Sequence, residues 1–287
     1  MILGFLMERA DGQPARLDEI REPLEDVFHA VIRGRAESDN FNRLVMAGGL
    51  PWRAVTILRA VAKFLRQAAI PFSQDYMEQA LGRNPDIAAL LVELFFARNH
   101  PAEASDAAAQ KANEKIEAAL RDVPSLDDDR ILRRFRNVIE NILRTNYWQE
   151  NGQRPTLAFK LDSQKLDELP APRPWREIFV YSPAMEGVHL RFGKVARGGI
   201  RWSDRREDFR TEILGLVKAQ QVKNAVIVPV GAKGGFYPKL MPVGGTREAA
   251  MQAGVAAYTM LINALLDLTD NLKPDGEVVP PTGISLG

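Results

Sequence analysis

Through the first half of the chain, apolar residues recur at three- and four-residue intervals, the period of a helix face turned toward a core. Glu25 to Ile32 and Trp52 to Arg66 carry this pattern. Pro51 suits the first turn of the second of these helices, where its missing N–H has no helical partner to lose. Ser73 offers an N-cap for a helix reaching Leu81, Asn84-Pro85 interrupts, and another helix is expected from Asp86 to Arg98. A long charged helix should follow from about Ala102 to Arg121. Asp127-Asp128-Asp129 then precede a helix from Ile131 to Thr145, acids at a helix N-terminus being favoured by its dipole.

The pattern changes near residue 150. Asn151-Gly-Gln-Arg-Pro155 reads as a turn-rich linker. Thr156–Leu161 and Ile178–Tyr181 are short strand-like runs on either side of the Pro-rich Leu169–Pro174. Val188, Leu190 and Phe192 alternate with His189, Arg191 and Gly193, the period of two of a half-buried strand. Asp204–Lys223 reads as a helix with a stripe of Phe209, Ile213, Leu216 and Gln220. Asn224–Val230 reads as a buried strand and Thr246–Leu268 as a helix. The predicted fold is an all-α helical region over residues 1–150, then an α/β half over 151–287 in which short strands alternate with helices. The helical half reads best as a packing or oligomer-forming module.

Composition narrows the possibilities. The 287 residues hold 38 Lys or Arg against 37 Asp or Glu, so no global charge points to nucleic acid or to a membrane surface. No cysteine is present, which excludes disulfides and thiol catalysis and fits a reducing, cytoplasmic setting. Met1–Leu6 is too short an apolar run for a signal peptide, and no membrane-spanning run is expected. His29, His100 and His189 are far apart in sequence, so no metal site is expected. Charge is uneven, however. Residues 190–240 carry eleven Lys or Arg against four acids, whereas residues 1–150 carry twenty against twenty-three.

That positive excess coincides with Gly193-Lys-Val-Ala-Arg-Gly-Gly-Ile-Arg-Trp202, Lys223 and Gly231-Ala-Lys-Gly-Gly235. Glycine permits close backbone approach and the cations supply charge, a combination suited to a small carboxylate. On the expected helix Lys223 shares the face of Leu216 and Gln220, where an ammonium needs an anion, water or a partner. It equally fits a last-turn lysine meeting the helix dipole and reaching water. Lys233 follows the expected strand, at the kind of strand end where α/β sheets bind ligands, and a lysine in a cationic, partly desolvated pocket can serve as a general base. It equally fits a solvated surface turn. Arg197 precedes Gly198-Gly199, whose N–H groups can join a guanidinium around a carboxylate. Arg191, Lys194, Arg201, Arg205, Arg206 and Arg210 leave a phosphate-binding patch as a second reading. Asp204, Glu207 and Asp208 interrupt it, and Trp202 is the only nearby indole where nucleic-acid binding wants aromatic platforms.

In order and spacing, Arg197–Trp202, Gln220–Ala225 and Pro229–Gly235 resemble the substrate-domain signature of glutamate dehydrogenases. Ser182–Gly193, Phe41–Trp52 and Ile70–Tyr76 extend the likeness to the large NAD-specific bacterial type, over nearly the whole chain to about Pro280. The resemblance implies that Lys233 is the catalytic lysine activating the water that attacks the iminium intermediate. It implies that Lys223 binds the substrate α-carboxylate with Gln220 beside it. Arg197 stands where small members have a lysine for the side-chain carboxylate, and Gly198 and Gly199 match the glycines of that loop. The implied reaction converts L-glutamate to 2-oxoglutarate and ammonia with hydride passing to NAD, in a homo-oligomeric full-length form.

Two departures qualify it. The family's catalytic aspartate and its dinucleotide-binding domain follow the catalytic lysine, and no Gly-x-Gly-x-x-Gly occurs here. The NAD site is therefore expected outside this chain, which reads as an internal piece inactive in isolation. The alternatives are a non-catalytic dicarboxylate-binding module or split-enzyme subunit, and a structural or oligomerisation fragment.

Overall fold

A computed structural model describes residues 17–194, 198–224 and 231–284. The first part is helical: α1 (Leu17–Ile32), α2 (Arg43–Ala47), α3 (Trp52–Gln67), α4 (Gln74–Arg83), α5 (Pro85–Asn99), α6 (Asp106–Leu120) and α7 (Leu126–Glu140). Local chemistry explains most of the boundaries. Ser73, Ser105 and Ser125 each accept a hydrogen bond from a first-turn N–H of α4, α6 and α7. Pro51 stands one residue earlier than expected, at the N-cap of α3 with extended ψ. Asp128, in the first turn of α7, is gripped by Arg83 at 2.6 and 2.9 Å, and that pair holds its carboxyl below the ordinary range.

The sheet that follows has the order β1 (Ile142–Thr145), β2 (Leu157–Leu161), β3 (Arg176–Tyr181), β4 (Met185–Arg191), β6 (Ala232–Pro238), β5 (Ile200–Trp202). All neighbours are antiparallel except β5 and β6, which are joined in parallel through α8 (Phe209–Asn224). The architecture is thus a helical region followed by a mixed α/β sheet. A helix α9 (Arg247–Asp267), capped by Thr246, and a small hairpin of β7 (Asn271–Leu272) and β8 (Val278–Val279) complete the described chain.

Strand register assigns the two faces. Rows Leu157/Tyr181/Glu186/Tyr237, Phe159/Phe179/Val188/Gly235 and Leu161/Glu177/Leu190/Lys233 lie on the face covered by the helical region and α8. Phe64 meets Phe179 edge-on at 5.6 Å and Phe95 meets Phe159 at 5.9 Å, pairs worth about 0.5–1.5 kcal/mol each beyond burial. The opposite face (Ala158, Val180, Met185, Phe236) packs on Ala257, Leu261 and Ala264 of α9. Small residues let α9 approach closely: a β-carbon at Gly187 would stand 2.6 Å from Leu261. By length and composition alone α9 could span a membrane, which the sequence reading did not anticipate. Its small-residue side lies on the sheet, while Met251, Val255, Tyr258 and Leu266 are exposed.

Several expected elements move. The helix predicted through Thr145 ends at Glu140, and Ile142–Thr145 instead pair with β2. The ladder with Leu161 and Phe159 outweighs local helical periodicity. Asp204 and Arg205 are irregular and Arg206–Asp208 form a turn before α8 begins at Phe209. The strand expected across 225–230 lies outside the described residues, as does Arg197.

Candidate functional site

The α8 helix is fixed to the rest of the fold at its N-terminal end. Arg210 is fully buried and bonds Glu177 of β3 at 2.9 Å, itself 1% exposed. Gln67 of α3 accepts from the Arg210 N–H at 3.1 Å and donates to the Arg206 carbonyl at 2.9 Å. One turn on, Ile213 packs against β6 at Gly235, and Leu214 and Val217 continue the buried side. The expected stripe is corrected here: Leu216 is 41% exposed, so the core-facing positions are Phe209, Arg210, Ile213, Leu214 and Val217. Gln220 and Lys223 lie in the last turns of α8, their side chains outside the described residues.

Lys233 occupies the second position of β6 and is half-buried. The expected loop Gly231–Gly235 is therefore strand from Ala232 onward, and Lys233 stands at a strand beginning rather than beyond a strand end. The backbone requires this, because Ala232–Gly235 complete the ladder with Val188–Arg191 of β4. Lys233 lies opposite Leu190, in the same cross-strand row as Glu177, on the face that α8 covers. Gly199 is held against it: the Gly234 N–H donates to the Gly199 carbonyl at 3.1 Å, and Ile200 pairs with Gly234. The structure thus brings Gly198, Gly199 and Lys233 together.

The glycines are used differently from one another. A β-carbon at Gly198 would overlap the Ala232 carbonyl, one at Gly234 would stand 2.5 Å from Ile200 and 3.2 Å from His189, and one at Gly235 would collide with Ile213. These three serve close packing between chain segments. Gly198 and Gly199 are both exposed, but Gly199 alone of the four has open space where a β-carbon would stand, which leaves room for a ligand beside it.

Ion pairing then sorts the cations. Arg201 bonds Glu212 at 2.5 Å, Arg205 pairs with Asp208, and Lys239 bonds Glu37 and Glu186 at 2.9 Å each. Burial works to raise the Glu37 carboxyl, but the Lys239 and Lys63 ammonium groups outweigh it and hold it below the ordinary range. Buried, paired Arg210 cannot belong to a surface phosphate patch, which overturns that reading for this residue. Among the described residues Arg191, Lys194 and Lys233 keep no carboxylate partner, and all three lie at the end of the sheet where β4 finishes and β6 begins. Behind them His189 sits half-buried; burial, reinforced by Arg191, pushes its imidazole below the ordinary range, so it is neutral near neutral pH. Among the described residues, no cluster of His, Asp or Glu suited to a metal ion occurs.

Sequence reasoning missed the buried Arg210–Glu177 pair and the Glu37–Lys239–Glu186 network, which tie helices to sheet. Neither partner carries a local signal, because the residues are separated by 33 to 202 positions.

Comparison with known proteins settles the family. The family described as "Bacterial NAD-glutamate dehydrogenase, catalytic domain" matches residues 115–286, more than half of the 287. The chain belongs to the bacterial NAD-glutamate dehydrogenase family. Residues 36–101 also match "Glutamate dehydrogenase, helical motif 3". Relatives named NAD-specific glutamate dehydrogenase are 51% identical over 99% of the chain in Pseudomonas aeruginosa and in Halomonas elongata, and 54% identical over 88% in Mycobacterium tuberculosis. The chain spans only 18%, 18% and 16% of these relatives' lengths, so it corresponds to a fragment of the larger glutamate dehydrogenases.

Proposed function

We propose that this chain forms the substrate-binding part of an NAD-dependent glutamate dehydrogenase, which converts L-glutamate, water and NAD to 2-oxoglutarate, ammonia and NADH. The observation that carries the reading is the half-buried Lys233, without a carboxylate partner among the described residues, beside the open Gly199 backbone, within the region matched by the catalytic-domain family. Lys223 and Arg197 hold the two carboxylates, with Gln220 next to the first, and the Gly198-Gly199 backbone completes the cradle. Lys233 Nζ accepts the proton of the water whose oxygen adds to the imine carbon of the substrate.

NAD supplies the hydride acceptor, and the described residues do not fit it. The β5–α8–β6 unit is the one parallel crossover described. Its connecting segment, Ser203–Asp208, has no glycine for close backbone approach to a pyrophosphate, and its three acids outnumber its two arginines, of which Arg205 is paired with Asp208. We place the NAD site outside the described residues and expect the isolated chain not to turn over. Oligomerisation of the full-length protein and a cytoplasmic location belong to the same proposal.

The test is calorimetric titration of the 287-residue chain with 2-oxoglutarate. Lys233→Ala, Lys223→Ala and Arg197→Ala should each weaken binding about 10- to 100-fold, the worth of one hydrogen bond to a charged group. Unchanged affinity in all three refutes the site, and absence of any binding favours a structural or oligomerisation fragment. NADH formation from glutamate by the pure chain refutes the claim of incompleteness.

A further inference from the structure

At the end of the sheet opposite Lys233, the start of β2, the end of β3 and the first turn of α3 enclose a cavity of about 210 Å3. Lys233 and Tyr237 are four residues apart on β6, and Tyr237 shares its row with Tyr181 and Leu157. At ~3.3 Å per strand residue, the two ends stand about 13 Å apart.

The walls combine two kinds of surface. Trp52, Tyr147, Tyr181 and Met260 provide aromatic and apolar area, and Arg35 and Arg53 bring two guanidinium groups. Arg35 lies 5.2 Å from the Trp52 ring centre and Arg53 lies 4.8 Å from that of Tyr147. No Asp or Glu lines the cavity, and neither arginine has a carboxylate partner among the described residues. Arg154, the third arginine in the lining, differs in being paired with Asp267 at 2.9 Å and Glu150 at 3.2 Å.

Arg53 is held in place by backbone. It donates to the Tyr147 carbonyl at 2.9 Å and to the Gly152 carbonyl, which leaves further N–H groups for a ligand. Burial holds its guanidinium below the ordinary range; Tyr147 opposes that shift and the neighbouring Arg35 charge adds to it. Two like charges beside one partly closed, acid-free cavity is a costly arrangement that a bound anion relieves. Aromatic walls add a preference for a flat apolar body, and the small volume limits its size.

We propose that this cavity binds a small carboxylate carrying an aromatic or other flat apolar group, with the carboxylate held by Arg35 and Arg53 and the body against Trp52 and Tyr147. The site is independent of the Lys233 reading and joins the helical region to the sheet, so its ligand should also raise the melting temperature.

The experiment titrates the 287-residue chain calorimetrically with benzoate, with its neutral analogue benzyl alcohol and with inorganic phosphate. Benzoate should bind with a Kd of about 1 mM or tighter, and the other two about tenfold more weakly or worse. Arg35 is exposed, and its only hydrogen bond among the described residues is from its backbone N–H to the Ala30 carbonyl, which a side-chain change keeps, so Arg35→Gln should keep the fold by circular dichroism and weaken benzoate about tenfold. Equal binding of benzyl alcohol overturns the carboxylate requirement, and equal binding of phosphate overturns the apolar one. No benzoate binding, or binding untouched by Arg35→Gln, overturns the site.

Discussion

Replacing Gly235 by Ala tests how α8 is seated on the sheet. The added methyl would stand 2.6 Å from Ile213 Cγ1, closer still to its Cδ1, and 3.2 Å from the Arg201 carbonyl. Carbon atoms rest about 3.5–4.0 Å apart, so an overlap of about 1 Å must be relieved. Ile213 is 0% exposed and cannot swing into solvent, so it must leave its rotamer or α8 must lift. Overpacking of this kind costs about 1–3 kcal/mol, and removing a strand glycine returns about 0.5–1 kcal/mol. The net expectation is a loss of about 1–2 kcal/mol, read from urea denaturation midpoints with unchanged slope. Ile213→Val deletes the offending Cδ1 and alone costs about 0.5–1.5 kcal/mol. In combination it removes the nearer of the two clashing atoms while Cγ1 stays, so part of the overlap is relieved and the double variant should be more stable than the summed losses by up to about 1 kcal/mol. Because α8 also carries Lys223, proposed above to hold a substrate carboxylate, affinity for 2-oxoglutarate should fall in Gly235→Ala and recover in part in the double variant. A neutral Gly235→Ala, or strictly additive losses, would refute the packing argument.

Two further outcomes follow from buried charges. Glu177→Gln leaves the fully buried Arg210 guanidinium without a carboxylate and should cost about 3–5 kcal/mol in urea unfolding, whereas Arg210→Met with Glu177→Leu together should recover most of it; a single-variant loss under about 1 kcal/mol would contradict a buried pair. His189 is kept neutral by burial with help from Arg191, so below its ordinary value of 6.5 the unfolded chain takes up this proton before the folded one; the stability it contributes is present above that pH and lost as pH falls, and His189→Gln should lose less stability than the parent between pH 7.5 and 5.5, with parallel pH curves counting against the argument.

The helical half was legible because its signals are local. Ser73 capping α4 and the three-to-four periodicity of α3 act within one or two turns and the structure places them as expected, while the acids expected just ahead of a helix from Ile131 lie in the first turn of α7, which begins at Leu126. The alternation of Val188 and Leu190 likewise marked β4, and the ordered motifs around Arg197, Lys223 and Lys233 pointed to the right family before any contact was known. What the sequence left open depends on partners distant in the chain. Ile142–Thr145 continue a helical pattern yet become a strand, because β2 offers them a ladder. Gly234 and Gly235 looked like ligand-facing glycines, yet tertiary packing uses them to admit Ile200, His189 and Ile213. Composition put the positive excess between residues 190 and 240; only the fold divided it, since Glu177, Glu37 and Glu186 come from elsewhere to neutralise Arg210 and Lys239. Sequence alone thus determined local conformation and the inventory of charges. The tertiary structure decided which charges remain unpaired, because burial in a low-dielectric interior demands partners wherever the chain can bring them.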